Sequence, residues 1–145
     1  MEREMRALNW GLAGVVALWV AGCSLMQPNS TSTPKVDLIG GTWVAEDIDG
    51  AGVVDNAQST LVFGNDGRVS GRGACNSYGG TVDLKGAQVI VGELMSTKMA
   101  CAPAVMDQET RFMAALQATR TYRMDEGNKL VLSDATGRPR LRFSR

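Results

Sequence analysis

The hydrophobic positions of this chain follow three patterns in succession: one long apolar run, a polar stretch, and then short apolar runs that alternate with polar residues. The alternating part, from about residue 38 onward, is typical of short β-strands separated by turns. In its first strand Trp43, Ala45 and Asp47 share one face, and residues 65–67 (Asn-Asp-Gly) form a hairpin signal. The predicted strands cover residues 42–48, 61–63, 68–73, 88–91, 95–101, 121–124, 129–133 and 141–143.

One later segment has helical spacing instead. The positions at helical spacing are Val105, Glu109, Phe112, Met113 and Leu116, and Pro103 stands where a helix would begin. A helix is therefore predicted over about residues 104–118. The face expected to cover one opening or side of the sheet consists of Phe112, Met113 and Leu116.

These elements predict a mainly β fold with one α-helix. The strands are expected to form an antiparallel meander that curls into a partly closed barrel, because closure removes the exposed edges of a free sheet. Gly71, Gly73, Gly79 and Gly80 crowd around Cys75, which indicates bulges and close backbone approach in that region.

The long apolar run lies at the N-terminus. Residues 10–21 carry no charge, and the run is too short to span a bilayer, which takes about 20 apolar residues, so it is typical of a signal peptide. It ends in Val-Ala-Gly-Cys, the pattern of bacterial lipoprotein processing. We therefore expect residues 1–22 to be removed and Cys23 to carry fatty acyl chains such as palmitate; a buried thiol ending a core helix is the weaker alternative. Met5, followed by a basic residue, is the expected translation start in place of Met1.

The polar stretch extends the lipoprotein hypothesis. Residues 23–38 are rich in serine, threonine, proline and asparagine and cannot bury enough apolar area to fold, so they are expected to be a disordered tether after the lipidated cysteine. The folded domain is then residues 39–145. Ser24 is not an aspartate, which favours the outer membrane, facing the periplasm, as the destination in a Gram-negative cell.

Composition removes several function classes. The chain has 15 basic and 15 acidic residues and no histidine. Serine and cysteine triads that need histidine are therefore absent, and the scattered aspartates are typical of turns, so no catalytic residue, metal or cofactor is predicted. The even charge balance, without aromatic residues among the arginines, makes nucleic acid an unlikely partner.

The two remaining cysteines have a structural interpretation. Exported thiols usually pair, so Cys75 and Cys101 are expected to form a disulfide worth roughly 3 to 4 kcal/mol to a small domain. A zinc site would need four ligands, and a redox pair usually has the spacing C-x-x-C, so both alternatives are weaker.

Two surfaces are candidates for binding. The first comprises polar residues beside the cysteines: Asn76, Ser77, Tyr78, Thr97 and Lys98. Local satisfaction of irregular backbone is the favoured alternative for these side chains. The second is a basic stripe on the last strand, where Arg138, Arg140 and Arg142 alternate with Pro139, Leu141 and Phe143 and could face anionic lipid. An ordinary solvated sheet face is the alternative there.

Several short motifs together resemble a known family. They are residues 41–43 (Gly-Thr-Trp), 61–63 (Leu-Val-Phe), 66–71, 74–80 (Ala-Cys-Asn-Ser-Tyr-Gly-Gly), 96–101 (Ser-Thr-Lys-Met-Ala-Cys) and 109–112 (Glu-Thr-Arg-Phe). In this combination the chain is similar to the META domain of HslJ-like heat-shock lipoproteins, over nearly all of residues 40–144. The resemblance implies a β-rich barrel-like fold with one helix and a cell-envelope location. It also implies a link to heat shock and novobiocin tolerance, without an established catalytic residue.

The function expected from the sequence is that of a lipid-anchored envelope protein that is not an enzyme and serves stress tolerance by binding or scaffolding. Its partners would be the membrane, through the anchor, and an envelope protein or small molecule of unknown identity. One alternative is a small-ligand carrier with a cavity lined by Trp43, Phe63 and Leu132. The other is an enzyme, or an inhibitor of one, that acts through residues 76–78.

Overall fold

The structure, a computed structural model, describes residues 38–145. The predicted signal peptide, Cys23 and residues 24–37 of the predicted tether lie outside the described residues. Leu38, which the sequence places at the end of the tether, is buried, and its carbonyl accepts a hydrogen bond from the indole N–H of Trp43 at 3.1 Å. The packed part of the chain therefore begins no later than Leu38.

The described residues form nine strands and one helix. The strands are β1 (Thr42–Ile48), β2 (Ala51–Gly52), β3 (Thr60–Phe63), β4 (Arg68–Arg72), β5 (Ser77–Lys85), β6 (Gln88–Ser96), β7 (Thr121–Asp125), β8 (Lys129–Ser133) and β9 (Pro139–Ser144). The helix, α1, spans Pro103–Ala118 and connects β6 to β7.

All strands belong to one antiparallel sheet that returns on itself. The order is β2-β1-β3-β4-β5-β6-β7-β8-β9, and β1 also pairs with β9, which makes a ring. The predicted mainly β fold with one helix is thus confirmed. The shortest strand pairing in the ring is that between β6 and β7, where only Gln88 and Thr121 pair.

The prediction of a separate strand over residues 95–101 is wrong. Strand β6 runs without interruption from Gln88 to Ser96, with an irregularity opposite Gly80 and Val82, and residues 97–102 have no regular secondary structure. Strand β5 was missing from the prediction because its glycines weaken the apolar alternation. Gly80 is required there, since a Cβ would lie 2.5 Å from the carbonyl oxygen of Glu93 on β6.

Two faces also differ from the predicted alternation. In β1 the register with β9 shifts between Ala45 and Asp47, so Ile48 is buried while Asp47 is only half-buried. In β9, Leu141 and Phe143 point inward as expected, but Pro139 is exposed. A register irregularity between Leu132 and Ser133 accompanies this change at the start of β9.

The helix closes the hydrophobic core. The ring of Phe112 meets Tyr78 and Phe143 edge-on, with centroids 5.7 and 6.2 Å apart. The residues of α1 that are buried are Gln108, Glu109, Phe112, Ala115 and Leu116, whereas Met113 is only half-buried. The predicted helix was one residue short, and its inner face is more polar than predicted.

Candidate binding site at the helix

A disulfide ties the entrance of the helix to the sheet. Cys75, in the turn between β4 and β5, bonds to Cys101, two residues before α1 begins, with 6.0 Å between the Cα atoms. Cys75 is buried and Cys101 is exposed. The predicted pairing is therefore present, and it holds the irregular segment 97–102 against the turn.

A buried carboxylate lies beneath this disulfide. Glu109, on the inner face of α1, is only 8% exposed, and its Oε2 accepts hydrogen bonds from the backbone N–H groups of Cys75 and Asn76 at 2.9 and 2.6 Å. Its Oε1 accepts a third bond from the side-chain amide of Asn76 at 2.7 Å. Three donors thus replace the water that this carboxylate loses on burial.

Asn76 connects Glu109 to the segment before the helix. Its Nδ2 donates to Glu109 and also to the carbonyl of Met99 at 3.2 Å. Its Oδ1 accepts from the hydroxyl of Thr97 at 2.9 Å and from the N–H of Met99 at 2.6 Å. The side chain is 2% exposed, and both of its polar atoms are satisfied internally. We call Asn76, Thr97, Met99 and Glu109 the polar cluster.

Gln108, next to Glu109, forms a second buried anchor that sequence reasoning missed. Its Oε1 accepts from the N–H of Val54 at 2.6 Å, and its Nε2 donates to the carbonyl of Ala57 at 2.6 Å and to the hydroxyl of Ser59 at 3.1 Å. Ser59 in turn donates to the carbonyl of Gly73. The signal was available: Gln108 lies four residues before Phe112, in the buried stripe of the helix.

The other residues of the first predicted surface have different positions. Tyr78 packs in the core, donates its hydroxyl to the carbonyl of Thr60 at 2.7 Å, and burial raises its pKa. Ser77 and Lys98 are exposed. The structure therefore brings Asn76 and Thr97 together, directs the Tyr78 ring inward, and leaves Ser77 and Lys98 facing solvent.

An open groove of about 590 Å³ lies beside the polar cluster. Its walls are the end of β6 with Leu94 and Ser96, the segment 97–100, and helix α1 with Met106, Met113 and Ala114. We call this the helix groove. Nearby, Met95 and Met99 are 72% and 55% exposed. Exposed thioether side chains of this kind are common on adaptable binding surfaces.

The predicted basic stripe on β9 is interrupted by acidic partners. Arg140 pairs with Asp49 and lies 3.7 Å from Asp134, and Arg142 pairs with Asp125 at 3.1 Å. Arg138 and Arg142 border a depression of about 580 Å³ that also contains Glu46, Asp47 and Asp49. Arg140 and Arg142 therefore have acidic partners that offset their charge locally.

Hydrogen bonds and ion pairs shift several pKa values around β9. We call the charged groups of this region the charged seam: Glu46, Asp49, Asp125, Lys129, Asp134, Arg140 and Arg142. The hydrogen bond from Lys129 lowers the pKa of Glu46, the backbone N–H of Glu126 lowers that of Asp125, and the hydroxyl of Thr136 lowers that of Asp134. Asp49 raises the pKa of Arg140. All four groups therefore stay charged at neutral pH.

Within residues 38–145, no helix has the length and apolar character needed to cross a membrane. The same part of the chain contains no group of three or more acidic or cysteine side chains arranged to hold a metal ion.

Comparisons with known proteins give a family and a fold. Residues 36–145 match the META domain. The chain is similar to a protein from Burkholderia xenovorans solved by NMR, at 28% identity and a TM-score of 0.58, over 74% of this chain and 83% of that one. A second NMR structure matches at 24% identity and a TM-score of 0.56, over 71% of this chain and 86% of the other. The comparison with curated proteins gives no match.

Proposed function

The chain belongs to the META domain family, and on this premise we propose that it is a lipid-anchored envelope protein that acts in stress tolerance by binding or scaffolding, without catalysis. The anchor would be the acylated Cys23, and the folded domain would stay near the membrane, most simply the outer membrane facing the periplasm. The disulfide supports an exported location, because disulfides persist in oxidising compartments.

The observation that carries the binding role is a contrast within one small region. Glu109 and Asn76, the buried polar side chains most suited to chemistry, use their polar atoms to hold backbone segments together. The neighbouring helix groove is open, and its lining combines methionine and leucine side chains with polar ones such as Thr110 and Gln117. This combination supports a rigid surface for a partner in place of a reaction centre.

The carrier alternative is less well supported. Trp43, Phe63 and Leu132 are all buried members of one packed cluster that also includes Phe112 from the helix. These side chains fill the space in which an interior ligand would have to lie.

The anchoring proposal can be tested by comparing the full chain with Cys23→Ser. We expect the wild-type chain to fractionate with the outer membrane and to have an intact mass that includes acyl chains, while Cys23→Ser stays soluble or unprocessed. A wild-type chain with an unmodified Cys23 thiol would contradict the anchor.

The stress role needs a second measurement. In a strain that lacks the chain, we expect reduced survival of heat and novobiocin, restored by the wild-type gene and only in part by Cys23→Ser. Equal survival with and without the chain would contradict this role and leave the anchoring result unchanged.

A further inference from the structure

Strand β6 has a backbone edge that no strand within residues 38–145 covers. It pairs with β5 from Gln88 to Ser96, but with β7 only at Gln88. Just past the end of β6, the N–H of Thr97 donates to the carbonyl of Ser77 on β5. Near this end of the strand, the odd-numbered residues therefore direct their N–H and C=O groups toward β5. Because antiparallel bonding alternates, the N–H and C=O groups of Leu94 and Ser96 point away from β5.

This edge forms one wall of the helix groove. Leu94 and Ser96 line the groove from one side, and Met106, Met113 and Ala114 of α1 line it from the other. Unpaired strand edges are templates for another strand, and proteins that leave them open next to a helix can capture extended peptides by strand addition. The register irregularity in β6 limits the available edge to its last few residues.

The side chains around the groove indicate the chemistry of the added segment. Methionine and leucine side chains favour apolar partners and can adjust to their shape. Of the two charged residues that line the groove, Glu109 is buried and bonded to three donors, so Lys98 is the exposed charge. An acidic group on the partner would complement Lys98.

We propose that the helix groove binds an extended segment of a partner protein, which adds as a strand to the free edge of β6. Its apolar side chains would contact Met106 and Met113, and an acidic side chain would lie near Lys98. This inference rests on the proposed binding role and names the site and the class of partner.

The test starts from a displayed library of random peptides of about eight residues, the length of an ordinary strand, selected against the full chain in detergent. Enriched peptides are expected to alternate apolar and polar residues and to contain an acidic residue. On binding, the backbone amides of Leu94 and Ser96 should exchange with solvent at least about tenfold more slowly. Methylation of alternate peptide amides should abolish binding, because it removes the donors that strand addition needs.

Two matched variants locate the site. Ala114→Trp fills the groove from an exposed helix position, and we expect affinity to fall at least about tenfold. Ala104→Trp places the same side chain on an exposed position of the same helix outside the groove and should leave affinity unchanged. Equal binding by both variants, or slowed exchange elsewhere than at β6, would overturn the proposal.

Other outcomes would also overturn it. One is a library without enriched peptides. Another is a dimer of this chain that Ala114→Trp dissociates, since the groove would then belong to a second copy. An envelope partner captured equally well by the wild type and by Ala114→Trp would reject strand addition while leaving the proposed binding role intact.

Discussion

The polar cluster beneath the helix and the charged seam on β9 use similar chemical groups in opposite surroundings. In the cluster, one carboxylate is buried and accepts three hydrogen bonds from residues more than 30 positions away in sequence. In the seam, several carboxylates pair with arginine and lysine at partly exposed sites. Buried polar groups are costly when a partner is lost, whereas surface ion pairs contribute little. The comparison teaches that burial, more than the number of ion pairs, decides which charges hold this fold together.

The largest expected effect comes from removing the buried carboxylate. Glu109→Ala leaves the N–H groups of Cys75 and Asn76 and the Asn76 amide without their acceptor, and we expect a loss of about 3 to 5 kcal/mol in the free energy of unfolding. Chemical denaturation measures it. The control, Glu126→Ala in an exposed turn, should change stability by less than about 0.5 kcal/mol. Similar small losses for both variants would show that burial does not make Glu109 a main stabilising group.

Removal of the disulfide should rank next. The double variant Cys75→Ala, Cys101→Ala is expected to lose about 3 to 4 kcal/mol, because the unfolded chain regains the entropy of an open loop. Reduction of the wild-type disulfide should lower the melting temperature in the same direction. A Cys23→Ser variant is the control, since that thiol lies outside the described domain. An unchanged melting temperature after complete reduction would contradict this prediction.

A glycine next to the cluster gives a finer test. A Cβ on Gly73 would lie 2.6 Å from Cγ of Glu109, whose carboxylate cannot move without breaking its hydrogen bonds, so Gly73→Ala should cost about 1 to 3 kcal/mol. Gly79→Ala is the matched control, because its nearest contact would be an ordinary 3.6 Å from the carbonyl of Val69. Equal stability of the two variants, measured by thermal unfolding, would show that Glu109 is free to move.

The seam should respond weakly to mutation. Arg140→Gln removes the bonds to Asp49 and Asp134, yet we expect a loss below about 1 kcal/mol because these pairs are only partly buried and solvent screens them. Gln117→Ala, an exposed helix position, gives the baseline for a neutral surface change. A loss as large as that of Glu109→Ala would place the seam among the main stabilising features.

The smallest effect is the dependence of stability on pH. The folded-state pKa values of Glu46, Asp125 and Asp134 are lowered from ordinary values of 4.5, 3.8 and 3.8. The contribution of these carboxylates to the free energy of unfolding is therefore fully present at a pH above their ordinary values. It is lost as the pH falls through their lower folded-state pKa values. We expect the denaturation midpoint to decrease on acidification below about pH 4 and less so at high salt. A midpoint that rises there would contradict the direction of these shifts.

Much of the local structure was predictable from the sequence. The bounds of β1 and the helix followed from apolar spacing, and the pairing of Cys75 with Cys101 followed from the need of exported thiols to pair. The strand predicted over residues 95–101 failed because the apolar pattern continues past Ser96, where the chain leaves the sheet to meet Asn76. The apolar pattern alone does not show where hydrogen bonds to a distant side chain will end a strand.

The candidate site was predictable only in part. The sequence singled out Asn76 and Thr97 as polar groups beside the disulfide, and the structure brings these two into contact. The sequence offered no reason to connect Asn76 with Glu109, and it did not reveal Gln108 as a buried hydrogen-bonding residue. These contacts span 33 to 54 residues and depend on where the helix crosses the ring.

By itself, the sequence determined the features that arise from neighbours along the chain: alternation for strands, helical spacing for α1, and two cysteines available to pair. Tertiary structure alone decided that Glu109 is a buried acceptor and that the end of β6 borders an open groove. The physical reason is that ring closure and helix packing determine which distant backbone groups receive a partner and which remain free.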